Sequence, residues 1–143
     1  MVFVDRGWGE IAPDRADAVM EAAVSACRAL SEAGLPFTLS WNGDTIRSFR
    51  VNDESSLPEA VAALLKSETT ADSGAELYLR TKGTPQVGKV LYLGAQTPDA
   101  LDALAQSVPL RAWICSENAA TYDYVQCFTP GTVAEDLQEL TWS

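Results

Sequence analysis

The chain opens on a short apolar run that ends in an acid, and this stretch constrains the fold more than any other. Val2, Phe3 and Val4 are consecutive apolar residues, and such runs are typical of a parallel-sheet strand that is buried on both faces. Asp5 follows directly, and a Gly-x-Gly turn begins at Gly7. Because ligands of open α/β sheets bind at the carboxyl ends of the strands, this stretch predicts a central strand that brings Asp5 to a binding edge.

Strand-like and helix-like patterns alternate along the rest of the chain. Apolar residues recur at steps of three and four over 14–33, which predicts a long amphipathic helix that Gly34 ends. An alternating strand at 37–41 and the following Asn-Gly pair predict a hairpin whose second arm, 45–51, is an antiparallel edge strand. The later patterns predict helices at 57–66, at 75–82 (a strand is the alternative), after Thr97 and from Thr132, and strands at 89–93, 110–115 and 124–128.

This alternation predicts one α/β domain over residues 1–143. We expect three layers, with a mostly parallel central sheet, one antiparallel edge strand and helices on both faces, in a Rossmann-like arrangement. Within it, Ser56 and Glu59 have the spacing of a capping box for the second helix. The buried face of that helix is predicted to consist of Leu57, Val61, Leu64 and Leu65.

Composition excludes several classes of function. The net charge of −10 disfavours sequence-independent binding to nucleic acid or to an anionic membrane; solubility, or an acidic surface for a basic partner, accounts for it. Histidine is absent, which removes histidine-dependent nucleophile pairs and histidine-ligated zinc. The cysteines, Cys27, Cys115 and Cys127, are widely spaced and are expected to be small buried hydrophobes in a reducing compartment.

The loop that follows Asp5 is the first candidate site. Gly7 and Gly9 let the backbone approach a ligand, although without a third glycine or a Walker lysine they do not indicate a nucleotide site. The alternative is that Asp5 is a solvated acid that caps a tight turn. Trp8 lies in the same loop and is either a contact for a protein partner or buried beneath the loop.

The order of elements resembles that of a von Willebrand factor type A-like domain. More narrowly, residues 2–5, 22–27, 34–39 and 90–94 resemble the C-terminal part of bacterial proteins in domain-of-unknown-function family fifty-eight. The resemblance implies a metal motif of the form Asp-x-Ser-x-Ser, of which only Asp5 is present, because Gly7 and Gly9 stand at the serine positions. Where such domains often place a further aspartate, this chain has the stretch that ends at Gln96.

The resemblance therefore implies a degenerate metal site, with no metal or cofactor bound. It also implies a fragment of a longer protein whose preceding helices anchor it in the membrane, a cytoplasmic location for this domain, and association with a MoxR-type AAA+ ATPase. The leading hypothesis is a non-catalytic protein-interaction module that makes no direct contact with nucleic acid or membrane. The residues predicted to contact its ligand or partner are Asp5, Arg6, Trp8, Gln96 and Thr97.

Two alternatives from other classes remain open. One is a metal-dependent ligand-binding domain that completes the site with Thr69, Thr70, Asp72 or Ser73. The other is a small hydrolase or transferase that uses Cys115 or one of the acid pairs Asp99–Asp102 and Glu135–Asp136.

Overall fold

A computed structural model describes residues 1–7, 13–43, 45–67, 74–82, 88–95, 99–115 and 124–130. Within these ranges, six strands and four helices follow one another in the predicted order. The strands are β1 (Val2–Val4), β2 (Phe37–Asn42), β3 (Ile46–Val51), β4 (Val90–Gly94), β5 (Leu110–Cys115) and β6 (Val125–Phe128). The helices are α1 (Pro13–Glu32), α2 (Leu57–Leu65), α3 (Gly74–Lys82) and α4 (Asp99–Ser107).

The strands form one sheet in the order β3-β2-β1-β4-β5-β6. Every neighbouring pair is parallel except β2 and β3, which form the predicted antiparallel hairpin. The predicted fold class is therefore confirmed, including the single antiparallel edge strand. Because β1 lies between β2 and β4, the chain reverses its direction of winding at β1, and its carboxyl end is the position where open α/β sheets bind ligands.

Side-chain alternation along β1 divides the core into two layers. Val2 and Val4 pack into the core on the α1 and α2 side of the sheet. Phe3 packs into the second core with residues of α3 and α4, such as Ala75 and Leu101. A strand with apolar residues on both faces is stable only when both faces are covered, so the three-layer arrangement follows from the Val-Phe-Val run itself.

Helix α2 differs in two ways from the sequence-based prediction. The capping box does not form at Ser56, whose side chain makes no cap hydrogen bond; its hydroxyl donates instead to the carbonyl of Asp53, 3.0 Å away. The predicted buried face is also wrong in part, since Leu65 is 57% exposed while Ala60 and Leu64 are buried. The pair Ala60 and Leu64, spaced by four, faces the core, and Leu65 is turned away from it.

The prediction of a helix over 75–82 is confirmed by α3. The predicted cap at Thr97 and the predicted helix from Thr132 lie outside the described residues. In the part of the chain that the structure describes, no helix has the length and apolar character needed to cross a bilayer.

Candidate functional site

Asp5 is placed just past the end of β1 and points into the protein. Its carboxylate is buried, with 4% of the residue exposed, and its backbone N–H donates to the carbonyl of Leu93 at 2.7 Å. This bond extends the pairing of β1 and β4 by one residue beyond Val4 and fixes the backbone at the switch point. Asp5 is therefore not the solvated acid of the simpler prediction, although it does cap the turn that follows it.

Two backbone N–H groups from different segments converge on one oxygen of this carboxylate. The Gly7 N–H, in the turn after β1, donates to Asp5 Oδ1 at 2.8 Å. The N–H of Gly74, the first residue of α3, donates to the same atom at 2.9 Å. A carboxylate at a helix N-terminus also interacts favourably with the positive end of the helix dipole, so Asp5 holds α3 against the sheet.

Tyr92 supplies the partner of the other carboxylate oxygen. Its hydroxyl, which is carried on β4, donates a hydrogen bond to Asp5 Oδ2. The ring of Tyr92 stacks on Phe3, with centroids 5.7 Å apart and planes at 10°, while Tyr78 of α3 meets Phe3 edge-on. The aromatic group thus fixes the position from which the hydroxyl reaches Asp5.

Asn42 completes the set of donors. It is the last residue of β2 and is fully buried. Its side-chain carbonyl accepts the N–H of Arg6 at 2.5 Å, and its side chain also hydrogen-bonds Asp5. Because Val4 pairs with Trp41, the next residue of β2 necessarily lies beside Asp5.

Burial and hydrogen bonding have opposite effects on the pKa of Asp5. Burial is the larger effect and raises the pKa above its ordinary value of 3.8. The hydrogen bonds from Tyr92, Gly7, Gly74 and Asn42 each lower it. The donors therefore offset part of the cost of burying the charge, but not all of it.

Two arginines cover other parts of the same sheet edge. The Arg6 guanidinium is buried and donates to the carbonyl of Ser67, just beyond α2, at 2.8 Å. Arg15, in the first turn of α1, donates to the carbonyl of Cys115 from two nitrogens at 3.0 and 2.7 Å, and also to that of Ala95. These carbonyls lie at or just beyond the ends of β4 and β5, so α1 is tied directly to the carboxyl edge of the sheet.

The predicted contact residues divide into two groups. Asp5 and Arg6 lie together at the carboxyl end of β1, and both are buried. Trp8, Gln96 and Thr97 lie outside the described ranges, as do the alternative metal ligands Thr69, Thr70, Asp72 and Ser73. Among the residues that are described, no three His, Cys, Asp or Glu side chains are grouped as a metal site would require.

The residues of the catalytic alternative are dispersed. Cys115 is fully buried in β5, and Cys27 is buried in α1, where burial raises the pKa of its thiol to about 12. Cys127 is partly buried. Asp102 of α4 accepts hydrogen bonds from Gln106 of the same helix and from the hydroxyl of Tyr124, which directly precedes β6. The other acid pair, Glu135–Asp136, lies outside the described residues.

Sequence reasoning missed Tyr92, Asn42, Gly74 and Arg15. A signal existed for Tyr92, because a phenol within an otherwise aliphatic central strand must find a partner for its hydroxyl. The Asn-Gly pattern predicts that Asn42 belongs to the hairpin turn, whereas the structure places it at the end of β2, beside Asp5. The roles of Gly74 and Arg15 depend on contacts across 69 or more residues of sequence, and local patterns carry no such information.

Comparison with known proteins supports the fold and does not define a family. No protein-family model matches the chain, and no curated protein matches it, so the narrower resemblance to family fifty-eight remains a hypothesis. A von Willebrand factor type A structure from Catenulispora acidiphila is similar, with a TM-score of 0.64 and 17% identity over 96% of this chain and 40% of that chain.

A second solved structure gives the same result. Proximal thread matrix protein 1 from the mussel byssus matches with a TM-score of 0.62 and 11% identity, over 96% of this chain and 45% of that one. The chain spans less than half the length of either structure. Its fold is that of a von Willebrand A-like α/β domain.

Proposed function

We propose that this chain is a non-catalytic protein-interaction module whose carboxyl sheet edge is organised by Asp5 and not by a metal ion. The hydrogen bonding of the Asp5 carboxylate carries this proposal. An ionised carboxylate offers about four lone-pair sites, and donors from Gly7, Gly74, Tyr92 and Asn42 are directed at this one. A divalent cation would have to displace donors that come from three separate elements and the turn after β1.

The surroundings of Asp5 support the same proposal. Magnesium in proteins is coordinated by about six oxygen ligands, so a site of this kind needs several side-chain or water oxygens around one carboxylate. Gly7 stands where the metal motif has a serine, and it contributes a backbone donor to Asp5, not an oxygen ligand. Asp5 thus performs the connecting task of a metal ion, since it joins β1, β2, β4 and α3 through one group.

The partner proposed on the resemblance alone is a MoxR-type AAA+ ATPase. On the same ground we propose that the full-length protein is membrane-anchored, with this domain in the cytoplasm. The loops that follow the parallel strands would form the contact surface, with Trp8 as its principal side chain.

The test is a binding measurement between this chain and the MoxR-type ATPase of the same genome, with and without EDTA. We expect a saturable complex that EDTA leaves unchanged and that Trp8→Ala weakens at least about tenfold, as for an interface anchor. Leu35→Ala, at the opposite sheet edge, is the matched control and should bind normally. A complex that EDTA abolishes would favour the metal-dependent alternative, and the absence of binding would reject this partner.

A further inference from the structure

At the opposite edge of the sheet, the structure contains an apolar cavity of about 320 Å³. It lies where β1, β2 and β4 begin, beneath the C-terminal end of α1. Its volume is at the lower end of the roughly 300–1,000 Å³ that is typical of small-molecule sites. The lining side chains include Val2, Leu30, Leu35, Phe37, Leu91 and Lys89.

One wall of the cavity is held rigidly by the end of α1. Gly34 has a φ of 73°, the Leu35 N–H donates to the Leu30 carbonyl at 3.0 Å, and the Gly34 N–H donates to the Ser31 carbonyl at 3.0 Å. This is the Schellman pattern, in which the residues at the positions of Leu30 and Leu35 often contact each other. Leu35 is nevertheless 54% exposed, so much of its surface is available to a ligand.

Two backbone N–H groups at the floor of the cavity already have hydrogen-bond partners. The N–H of Leu91 donates to the carbonyl of Met1 at 2.8 Å, and that of Val90 donates to the carbonyl of Pro109 at 2.9 Å. A hydrocarbon chain packed against these two N–H groups would therefore leave neither of them without a partner.

The charge at the rim is opposite in sign to that of the whole chain. Lys89 is exposed, and no acidic side chain occurs among the lining residues, all of which belong to the described part of the chain. Arg50 of β3 pairs with Thr38, which is next to the lining residue Phe37, so a second basic residue lies near this wall. In a protein with 20 acidic and 10 basic residues, an apolar cavity whose lining residues include Lys89 and no acid favours an anionic ligand.

We propose that this cavity binds a small amphipathic carboxylate, with its hydrocarbon chain against Leu30, Leu35 and Leu91 and its carboxylate at Lys89. The site is independent of the Asp5 edge, because it lies at the amino ends of the strands. The chemistry is shared by free medium-chain acids and by acyl chains released from lipids, so a free acid is the appropriate probe.

The test is a titration of the ¹⁵N-labelled protein with octanoate below its micellar range, followed by amide chemical shifts. We expect saturable shifts at Leu30, Leu35, Val90 and Leu91, with a dissociation constant of about 1 mM or tighter for a ligand of this size. Octanol, which has the same chain length without the charge, should bind more weakly. Shifts that do not saturate, or that centre on another surface, would overturn the proposal.

Matched variants separate the site from general hydrophobic adsorption. Leu35→Asp places a negative charge on the wall and should weaken octanoate binding at least about tenfold. Leu65→Asp changes a leucine of similar exposure on α2 and should have no effect. Lys89→Gln should weaken octanoate binding about two- to fivefold, as expected for an exposed ion pair, and should leave octanol binding unchanged. Lys66→Gln should change the binding of neither ligand. Equal losses in the two aspartate variants would refute the assignment.

Discussion

Replacing Gly74 by alanine tests most sharply whether the Asp5 cluster holds the sheet edge together. A Cβ at this position would lie 2.6 Å from Phe3 Cε1, and 3.0 Å from both Asn42 Oδ1 and Asp5 Oδ1. A carbon 2.6 Å from a ring atom is well inside van der Waals contact. The Phe3 ring cannot move freely, because Tyr92 stacks on it and Tyr78 meets it edge-on.

The expected loss of stability follows from two effects with a common cause. Overpacking a filled core costs about 1–3 kcal/mol. If α3 moves away to relieve the clash, the Gly74 N–H leaves Asp5 Oδ1, and a hydrogen bond to a charged group is worth about 1.5–3 kcal/mol. If α3 moves, the clash with Phe3 is relieved, and if α3 stays, the hydrogen bond to Asp5 is kept. The two costs therefore do not add. We expect a net loss of about 2–3 kcal/mol in the free energy of unfolding.

The measurement is urea-induced unfolding of the parent protein and of Gly74→Ala, with Gly88→Ala as the matched control. A Cβ at Gly88 would meet nothing within 4 Å, so alanine there should be neutral or should stabilise by up to about 1 kcal/mol. Equal stability of the Gly74→Ala and Gly88→Ala proteins would show that the contacts around Asp5 do not constrain α3. The account of the site would then be refuted.

Three further changes probe the same edge. Tyr92→Phe leaves Asp5 Oδ2 without its hydroxyl donor and should lower the free energy of unfolding by about 1–3 kcal/mol in urea titrations; an unchanged midpoint would contradict this. Since the folded-state pKa of Asp5 is raised, its contribution to stability is greatest below pH 3.8 and declines as the pH rises through the folded value. As the pH rises from 3 to 8, the free energy of unfolding of Asp5→Asn should therefore increase relative to that of the parent protein. Parallel curves for the two proteins would refute the raised pKa. Arg15→Met removes the donors to the strand-end carbonyls and should cost about 1–3 kcal/mol by thermal unfolding, whereas Arg28→Met, on the exposed side of α1, should cost little.

Much of the architecture could be predicted because local sequence patterns determine it. The Val-Phe-Val run requires cover on both faces, and the spacing in α1 and the Asn-Gly turn before β3 are local signals. The failures at α2 are different in kind. Ser56 has Asp53 as a competing partner, and Leu65 faces outward because it follows the buried Leu64 and lies about 100° further round the helix.

The site was predictable at one residue and not at its partners. Asp5 was identified because it follows the central strand directly. The hydrogen bonding of its carboxylate depends on Gly74 and Tyr92, which lie 69 and 87 residues away in sequence. No periodicity reveals such contacts, so the sequence could place Asp5 at the carboxyl edge of the sheet but could not show which groups hydrogen-bond it.

The most direct test of the central claim is calorimetric titration of the protein with magnesium and manganese at neutral pH. If the donors from Gly7, Gly74, Tyr92 and Asn42 hold the Asp5 carboxylate, neither ion should give a saturable heat. Tyr92→Phe should be titrated in parallel, because it removes one donor to Asp5 without adding an oxygen ligand for a metal. It too should give no saturable heat with either ion. Stoichiometric binding that is present in the parent protein and lost in Asp5→Asn would contradict the account.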